Sequence, residues 1–221
     1  EVDDCPILEE TVNAQLHQIA GQDVKLASAE LDISTTSPTI QVGAFTYQVA
    51  PGAFFQVNTQ VADLLVAEVL AALALRGKER VLDLYCGVGL FTLPIAAQAK
   101  AVIGVEANAV ATEDARHNAA PFPQVKIITD TVENALKRKE IRQQRWDAVV
   151  VDPPRAGVER KALDQIVALQ PPKLVYVSCD PATLARDAKV LCDSGYALLV
   201  AQPMDMFPQT HHVETVAVFS K

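Results

Sequence analysis

The hydrophobic positions of this chain change their period along its length. From Pro6 to Ala20, residues Ile7, Leu8, Val12, Leu16 and Ile19 recur near helical spacing and Gly21 follows, which predicts a helix. Lys25 to Ile33 alternates loosely, as a strand would, and Ser34-Thr35-Thr36-Ser37-Pro38 is the clearest loop or subdomain boundary. Thr39 to Val42 and Phe45 to Val49 flank Gly43-Ala44 as a hairpin would. Pro51-Gly52 turns the chain, and Asn58 is a suitable N-cap for a long helix over Thr59 to Leu75, closed by Gly77. Beyond Arg80 short apolar runs alternate with helical stretches. The runs are Val81–Leu84, Ala101–Glu106, Val125–Ile128, Trp146–Val151 and Lys173–Ser178. Between and after them lie helices over Leu93–Ala97, Ala109–Asn118, Val132–Lys139, Glu159–Leu169 and Ala182–Cys192. Tyr196–Ala201 and Val213–Phe219 close the sheet as an antiparallel pair. Such alternation predicts an α/β three-layer domain with its site residues at the strand carboxyl ends.

Half of the 221 residues are hydrophobic, enough to bury one substantial core, so one main domain with a small N-terminal addition is expected. No apolar run approaches the ~18 residues of a membrane-spanning helix. Glu1-Val2-Asp3-Asp4 has neither the basic nor the apolar region of a secretory signal. The four cysteines, Cys5, Cys86, Cys179 and Cys192, are scattered, which fits a reducing cytoplasm rather than a disulfide framework or a zinc site. A net charge of −8 argues against strong binding to a phosphate backbone by this chain alone. A nucleic-acid substrate would need a basic module or a local basic patch.

The most informative stretch runs from Val81-Leu82-Asp83-Leu84 through Tyr85-Cys86-Gly87-Val88-Gly89 to Leu90-Phe91-Thr92. A strand that turns on glycines into a helix offers backbone N–H groups to a ligand at the sheet edge. The following strand ends in Glu106, placed to accept hydrogen bonds from both hydroxyls of a ribose. A dinucleotide fingerprint wants a third glycine where Thr92 stands, and without it close packing over a pyrophosphate is harder to build. S-adenosylmethionine has no pyrophosphate. Three readings stay open on this stretch: a methyltransferase, a dinucleotide enzyme, and a tight turn without a ligand.

Other strand ends carry further candidates. Asp152-Pro153-Pro154-Arg155 is a stiff loop whose carboxylate and carbonyls suit a planar nitrogen base, in N- or C-methylation alike. Cys179 is either a buried small hydrophobe or, beside Asp180-Pro181 at a helix mouth that lowers a thiol pKa, a nucleophile. Glu214 interrupts an apolar strand, which is costly unless the carboxylate is solvated, paired or functional. With His211 and His212 it hints at a metal, but no further ligand cluster supports one. Gln56 either faces the cleft or is a surface residue, and locally the surface is favoured. Asp130 suits an adenine amino group or an N-cap. Lys137-Arg138-Lys139 reads as a solvated helix C-terminus, with an RNA contact as the lesser option.

Taken together, Leu84-Tyr85-Cys86-Gly87-x-Gly89, Asp152-Pro153-Pro154-Arg155, Val177-Ser178-Cys179-Asp180-Pro181 and Phe207-Pro208-x-Thr210-x-His212-x-Glu214 resemble the RNA uracil-5 methyltransferases in order and spacing. Phe55-Gln56-Val57-Asn58 also matches, and the resemblance covers about Ala50 to Lys221. The run from Ser178 to Asp187 looks closer to the 23S ribosomal RNA branch than to the transfer RNA branch.

The resemblance implies a Rossmann-like class I fold with a mostly parallel seven-stranded sheet and an antiparallel C-terminal strand. It implies a catalytic domain over 51–221, with 1–50 as a small α/β remnant of a central or RNA-binding subdomain. Gln56, Tyr85, Gly87, Gly89, Glu106, Asp130 and Asp152 would hold S-adenosylmethionine. Cys179 would be the nucleophile and Glu214 the proton acceptor in transferring a methyl group to C5 of a uridine. The partner would be RNA, ribosomal rather than transfer, the chain monomeric and cytoplasmic, and the site free of metal. Leu90 and Thr131 replace asparagines common in the family. Cys5 resembles the last ligand of an iron–sulfur cluster found in some members, but its three companions are missing, so no cluster is expected. The basic β-barrel domain common at the family's N-terminus is also missing. An amino-directed RNA or DNA methyltransferase, or a cofactor-binding fragment without activity, are the competing readings.

Overall fold

The structure is a computed structural model that describes residues 38–206, 208–210 and 213–221. The expected helix over Pro6–Ala20 and strand over Lys25–Ile33 lie outside these residues. A hairpin of β1 (Thr39–Val42) and β2 (Phe45–Gln48) precedes helix α1 (Thr59–Leu73). There follow β3 (Arg80–Leu84), α2 (Thr92–Ala96), β4 (Ala101–Glu106), α3 (Ala109–Asn118) and β5 (Val125–Thr129). Two single turns, α4 (Val132–Ala135) and α5 (Lys139–Arg142), lead to β6 (Ala148–Val151), α6 (Arg160–Leu169), β7 (Lys173–Ser178) and α7 (Pro181–Asp193). Strands β8 (Ala197–Met204) and β9 (Glu214–Ser220) complete the chain.

The seven-stranded sheet has the order β5-β4-β3-β6-β7-β9-β8. Its first five strands are parallel, and β9 runs antiparallel between β7 and β8. Because successive strand residues point to opposite faces, the sheet divides its apolar residues between two cores. Val81, Val102, Val150, Val175 and Val216 meet α1, α2 and the hairpin. Leu82, Ile103, Val149, Tyr176 and Ala217 meet α4 to α7. The order changes direction at β3, whose neighbours are β4 and β6. A ligand crevice belongs there, outside the carboxyl ends.

Several boundaries differ from the sequence expectation. Helix α1 stops at Leu73 rather than Leu75, because Ala74 turns left-handed (φ 50°) and Lys173 Nζ donates to the terminal carbonyls of Ala72 and Leu73. Its start is as expected, with Asn58 Oδ1 accepting from Val61 N. The single helix expected over Val132–Lys139 is two separate turns. Arg138 stands at the N-terminal boundary of the second turn, with its side chain on Asp130 at 2.5 Å, so the basic run is not a helix C-terminus. Strand β8 extends three residues further than expected, to Met204. The hairpin packs into the first core: Tyr47 is buried and donates its hydroxyl to the carbonyl of Leu90.

Candidate active site

At the β3 carboxyl end the chain enters the turn through Tyr85, a non-glycine residue at φ 63°. Left-handed backbone is costly for a bulky residue, and Tyr85 thereby marks the crevice. Gly87 and Gly89 follow at φ 53° and 101°. A Cβ on Gly89 would lie 2.8 Å from Leu93 Cδ1, whereas one on Gly87 would meet nothing within 4 Å. Gly89 is therefore needed for packing, and Gly87 leaves open space at the turn. Thr92, which breaks the dinucleotide pattern, is buried and donates its hydroxyl to Asp83 Oδ2 at 2.5 Å. The close packing that a third glycine would provide comes instead from Gly104 on β4. A Cβ there would meet Cys86 Sγ at 2.9 Å and Thr92 Oγ1 at 3.4 Å.

Glu106 Oε2 accepts from Gly87 N at 3.2 Å and Oε1 from Asn108 N at 2.8 Å, which fixes the carboxylate beside the glycine turn. Asn108 also caps α3 and donates to the carbonyl of Gly52, pinning the segment that carries Gln56. Gln56 is buried (7% exposed), not the surface residue favoured locally by the sequence. Asp130 is engaged at the β5 end, where Oδ1 accepts from Thr131 N and Oδ2 from Arg138. The N-cap of α4 is Thr131, through its own hydroxyl, not Asp130.

On the far side of β3, Asp152 N donates to the carbonyl of Leu84. Burial, reinforced by Glu214, Asp83 and Glu106, pushes its carboxyl well above the usual range. The last rung between β7 and β9 pairs Ser178 with Thr215. One residue further out on each strand stand Cys179 and Glu214, so the antiparallel register brings together two residues 35 positions apart in sequence. Ser178 and Asp180 form the bend between them, and Asp180 caps α7 by accepting from Thr183 N. Glu214 is buried, and that burial raises its carboxyl to about 7.

The helix-mouth argument for an acidified thiol does not carry the balance. Burial, then Glu214 and Asp152, push the Cys179 thiol up, and Arg155 offsets only part of this. His211 and His212 lie outside the described residues. Among the described residues no three His, Cys, Asp or Glu side chains could hold a metal, and no helix is long and apolar enough to cross a membrane.

Asp83, near the carboxyl end of β3, is a candidate that sequence reasoning did not single out. It is fully buried, Oδ1 has no hydrogen-bond partner among the described residues, and burial raises its carboxyl to about 7. The rule that singled out Glu214, an acid inside an apolar strand, could have found it. A measurable consequence follows. The folded chain keeps Asp83 protonated up to about pH 7, while the unfolded chain releases that proton near 3.8. The folded state thus binds more protons in this interval. The contribution is full below about pH 4 and is lost as pH rises through 7, by up to about 4 kcal/mol. Thermal melts should show the wild-type chain losing stability from about pH 5 to about pH 8, and an Asp83→Asn chain losing distinctly less. Equal slopes would overturn this assignment.

A sequence model described as tRNA (Uracil-5-)-methyltransferase matches residues 12–221. The chain belongs to this family.

Similar curated proteins include an uncharacterized RNA methyltransferase of Streptomyces avermitilis, 46% identical over 78% of this chain and 40% of that protein. Another is the 23S rRNA (uracil(1939)-C(5))-methyltransferase RlmD of Yersinia enterocolitica, 41% identical over 82% of this chain and 41% of that protein. Among solved structures, the tRNA (uracil-54, C5)-methyltransferase of Pyrococcus abyssi, in complex with S-adenosyl-L-homocysteine, superposes with a TM-score of 0.71. It is 34% identical, over 82% of this chain and 44% of that one. The chain therefore spans about two fifths of the length of these relatives. An N-methyltransferase, NodS of Bradyrhizobium japonicum, shares the fold at a TM-score of 0.60 and 17% identity. The Rossmann-like methyltransferase fold expected from the sequence is the fold observed.

Proposed function

We propose that this chain is the catalytic part of an enzyme that methylates C5 of a uridine in RNA, with S-adenosylmethionine as the methyl donor. The observation that carries the reading is the placement of Cys179 and Glu214 one step beyond the Ser178–Thr215 rung. A nucleophile and a base are thereby held side by side at the edge of the crevice. The donor fits the residues present. Gly87 leaves open space, Glu106 is aimed beside it, and Asp83, with a bare carboxylate oxygen, and Asp152 are acids short of positive charge. Gln56, Tyr85, Gly87, Gly89, Glu106, Asp130 and Asp152 would hold it. When bound, it supplies the methyl group and a cation among these carboxyls.

Uracil C5 is a poor nucleophile until a thiolate adds to C6 and leaves an enolate. Cys179 makes that bond, and Glu214 later takes the C5 proton, so that the C6–sulfur bond breaks and the thiolate leaves. Stacked bases cannot reach the crevice, so the uridine is unpaired or extruded. Ribosomal RNA is the favoured substrate, on the run from Ser178 to Asp187, although relatives of both kinds exist. Catalysis is assigned to residues 51–221, with 1–50 as the remnant of a central or RNA-binding subdomain. The protein acts as a monomer in the cytoplasm.

RNA containing 5-fluorouridine tests the reading, because fluorine at C5 cannot leave as a proton does. After methyl transfer the protein should stay joined to the RNA. With S-adenosylmethionine present, ribosomal RNA fragments should give a denaturation-resistant adduct with the full-length protein, and transfer RNA less of it. Methylation without any adduct would move the amino-directed alternative to the front.

A further inference from the structure

Behind the crevice a buried side chain joins the two loops that carry Asp152 and Cys179. Asp187 lies on α7 with 1% of its surface exposed. Its Oδ2 accepts from Tyr176 Oη on β7 at 2.7 Å and from Val158 N at 2.8 Å, and its Oδ1 accepts from Arg186 Nε at 2.8 Å. Arg186 in turn donates to the carbonyls of Ala156 and Val158 at 2.9 and 3.3 Å. The segment it grips is the end of the Asp152-Pro153-Pro154-Arg155 loop, folded into a turn by Gly157 N donating to the Pro154 carbonyl. Gly157, at φ 75°, lets the turn seat this closely: a Cβ there would sit 2.5 Å from Arg186 Nη2 and 2.7 Å from Asp187 Oδ2.

We infer that Asp187 is a positioning residue that sets the Asp152–Arg155 loop against Cys179. Tyr176 precedes Cys179 by three residues and α7 begins two after it, so the carboxylate ties together both flanks of the nucleophile and the loop opposite. Burial and Glu214 weigh most on the thiol, and the groups that Asp187 fixes act next to them. Arg155 on the gripped loop draws the Cys179 thiol down, and Asp152 pushes it up. A loop displaced by an ångström would alter both influences and the alignment of the reacting atoms, a misplacement that lowers rates by roughly a hundredfold. Burying a carboxylate is tolerated here because three donors meet it, one of them the Arg186 guanidinium.

The role of Cys179 as nucleophile is taken from the proposed function, so the test has one arm that needs no RNA. Asp187→Asn keeps an oxygen for Tyr176 and Val158 but turns an N–H group toward Arg186, while Asp187→Ala removes every strut. Tyr176→Phe deletes one strut and keeps the rest, as a milder variant should the others fold poorly. In the full-length protein, alkylation of Cys179 by iodoacetamide, read by peptide mass spectrometry, should speed up several-fold in Asp187→Asn and less in Tyr176→Phe. The exposed Cys192 should be unchanged and serves as the control. With RNA, kcat should fall by roughly ten- to a hundredfold, while KM for RNA stays within about twofold. Cys179 alkylating at the wild-type rate in all variants overturns the inference, even if turnover falls. Altered alkylation in a protein that forms no RNA adduct leaves the latch standing and overturns the proposed function instead.

Discussion

Cys179→Ala is expected to abolish methylation and to leave no covalent RNA species, with S-adenosylmethionine still bound. In the proposed mechanism C5 is not activated without the thiolate, and neither of the other two described cysteines is placed to replace it. Cys86 is buried beneath the turn, and Cys192 is exposed at the far end of α7. The loss should be some four to six orders of magnitude, the scale on which a covalent nucleophile is missed. The small side chain of Ala leaves the bend at Ser178 and the cap at Asp180 intact, so the fold should persist. Turnover measured with methyl-labelled cofactor, beside calorimetric titration of that cofactor, checks both halves. Residual activity near the wild-type level would sink the C5 mechanism.

Glu214→Gln should fail differently. The thiolate can still add and C5 can still take the methyl group, but the proton at C5 has no acceptor, so Cys179 is not released. A methylated RNA–protein adduct should accumulate on ordinary uridine, visible on denaturing gels and in intact mass, while turnover falls by roughly 10²–10⁴-fold. The buried carboxyl, raised to about 7, also gives the wild-type enzyme a signature in pH. Proton removal requires the ionised form, so turnover should rise as pH rises through 7 and then level off. That rising limb should be missing from the variant. A variant that turns over at the wild-type rate, or that fails before any adduct forms, would remove Glu214 from this role.

Much of the fold was readable in one dimension, because its cause is periodic. Alternating apolar runs and helical stretches require a sheet covered on both faces, and the five parallel strands appear within a residue or two of where the pattern put them. The glycine turn and Glu106 were legible for a similar reason: left-handed backbone and an acid at a strand end are local properties. The errors lie where a distant residue decides a local outcome. Lys173, a hundred residues away, meets the end of α1, and Arg138 leaves the expected helix to pair with Asp130. Gln56 is buried on a segment that Asn108, the N-cap of α3, holds through the Gly52 carbonyl.

The site divides in the same way. Sequence alone supplied the residue types, a thiol before a helix and an acid in an apolar strand, and matched them to a family. It could not supply the Ser178–Thr215 rung that makes Cys179 and Glu214 neighbours. Nor could it show that Asp83 is buried with a bare oxygen, or that Asp187 grips the opposite loop. Register, burial and the electrostatic sum over Asp83, Asp152 and Glu214 depend on strands that meet only after folding. For this reason the sequence left Cys179 open between a buried small hydrophobe and a nucleophile acidified by its helix mouth, while in the folded crevice burial, then Glu214 and Asp152, push the thiol up. That burial and the two carboxylates beside it exist only once folding has brought β7, β9 and the Asp152 loop together.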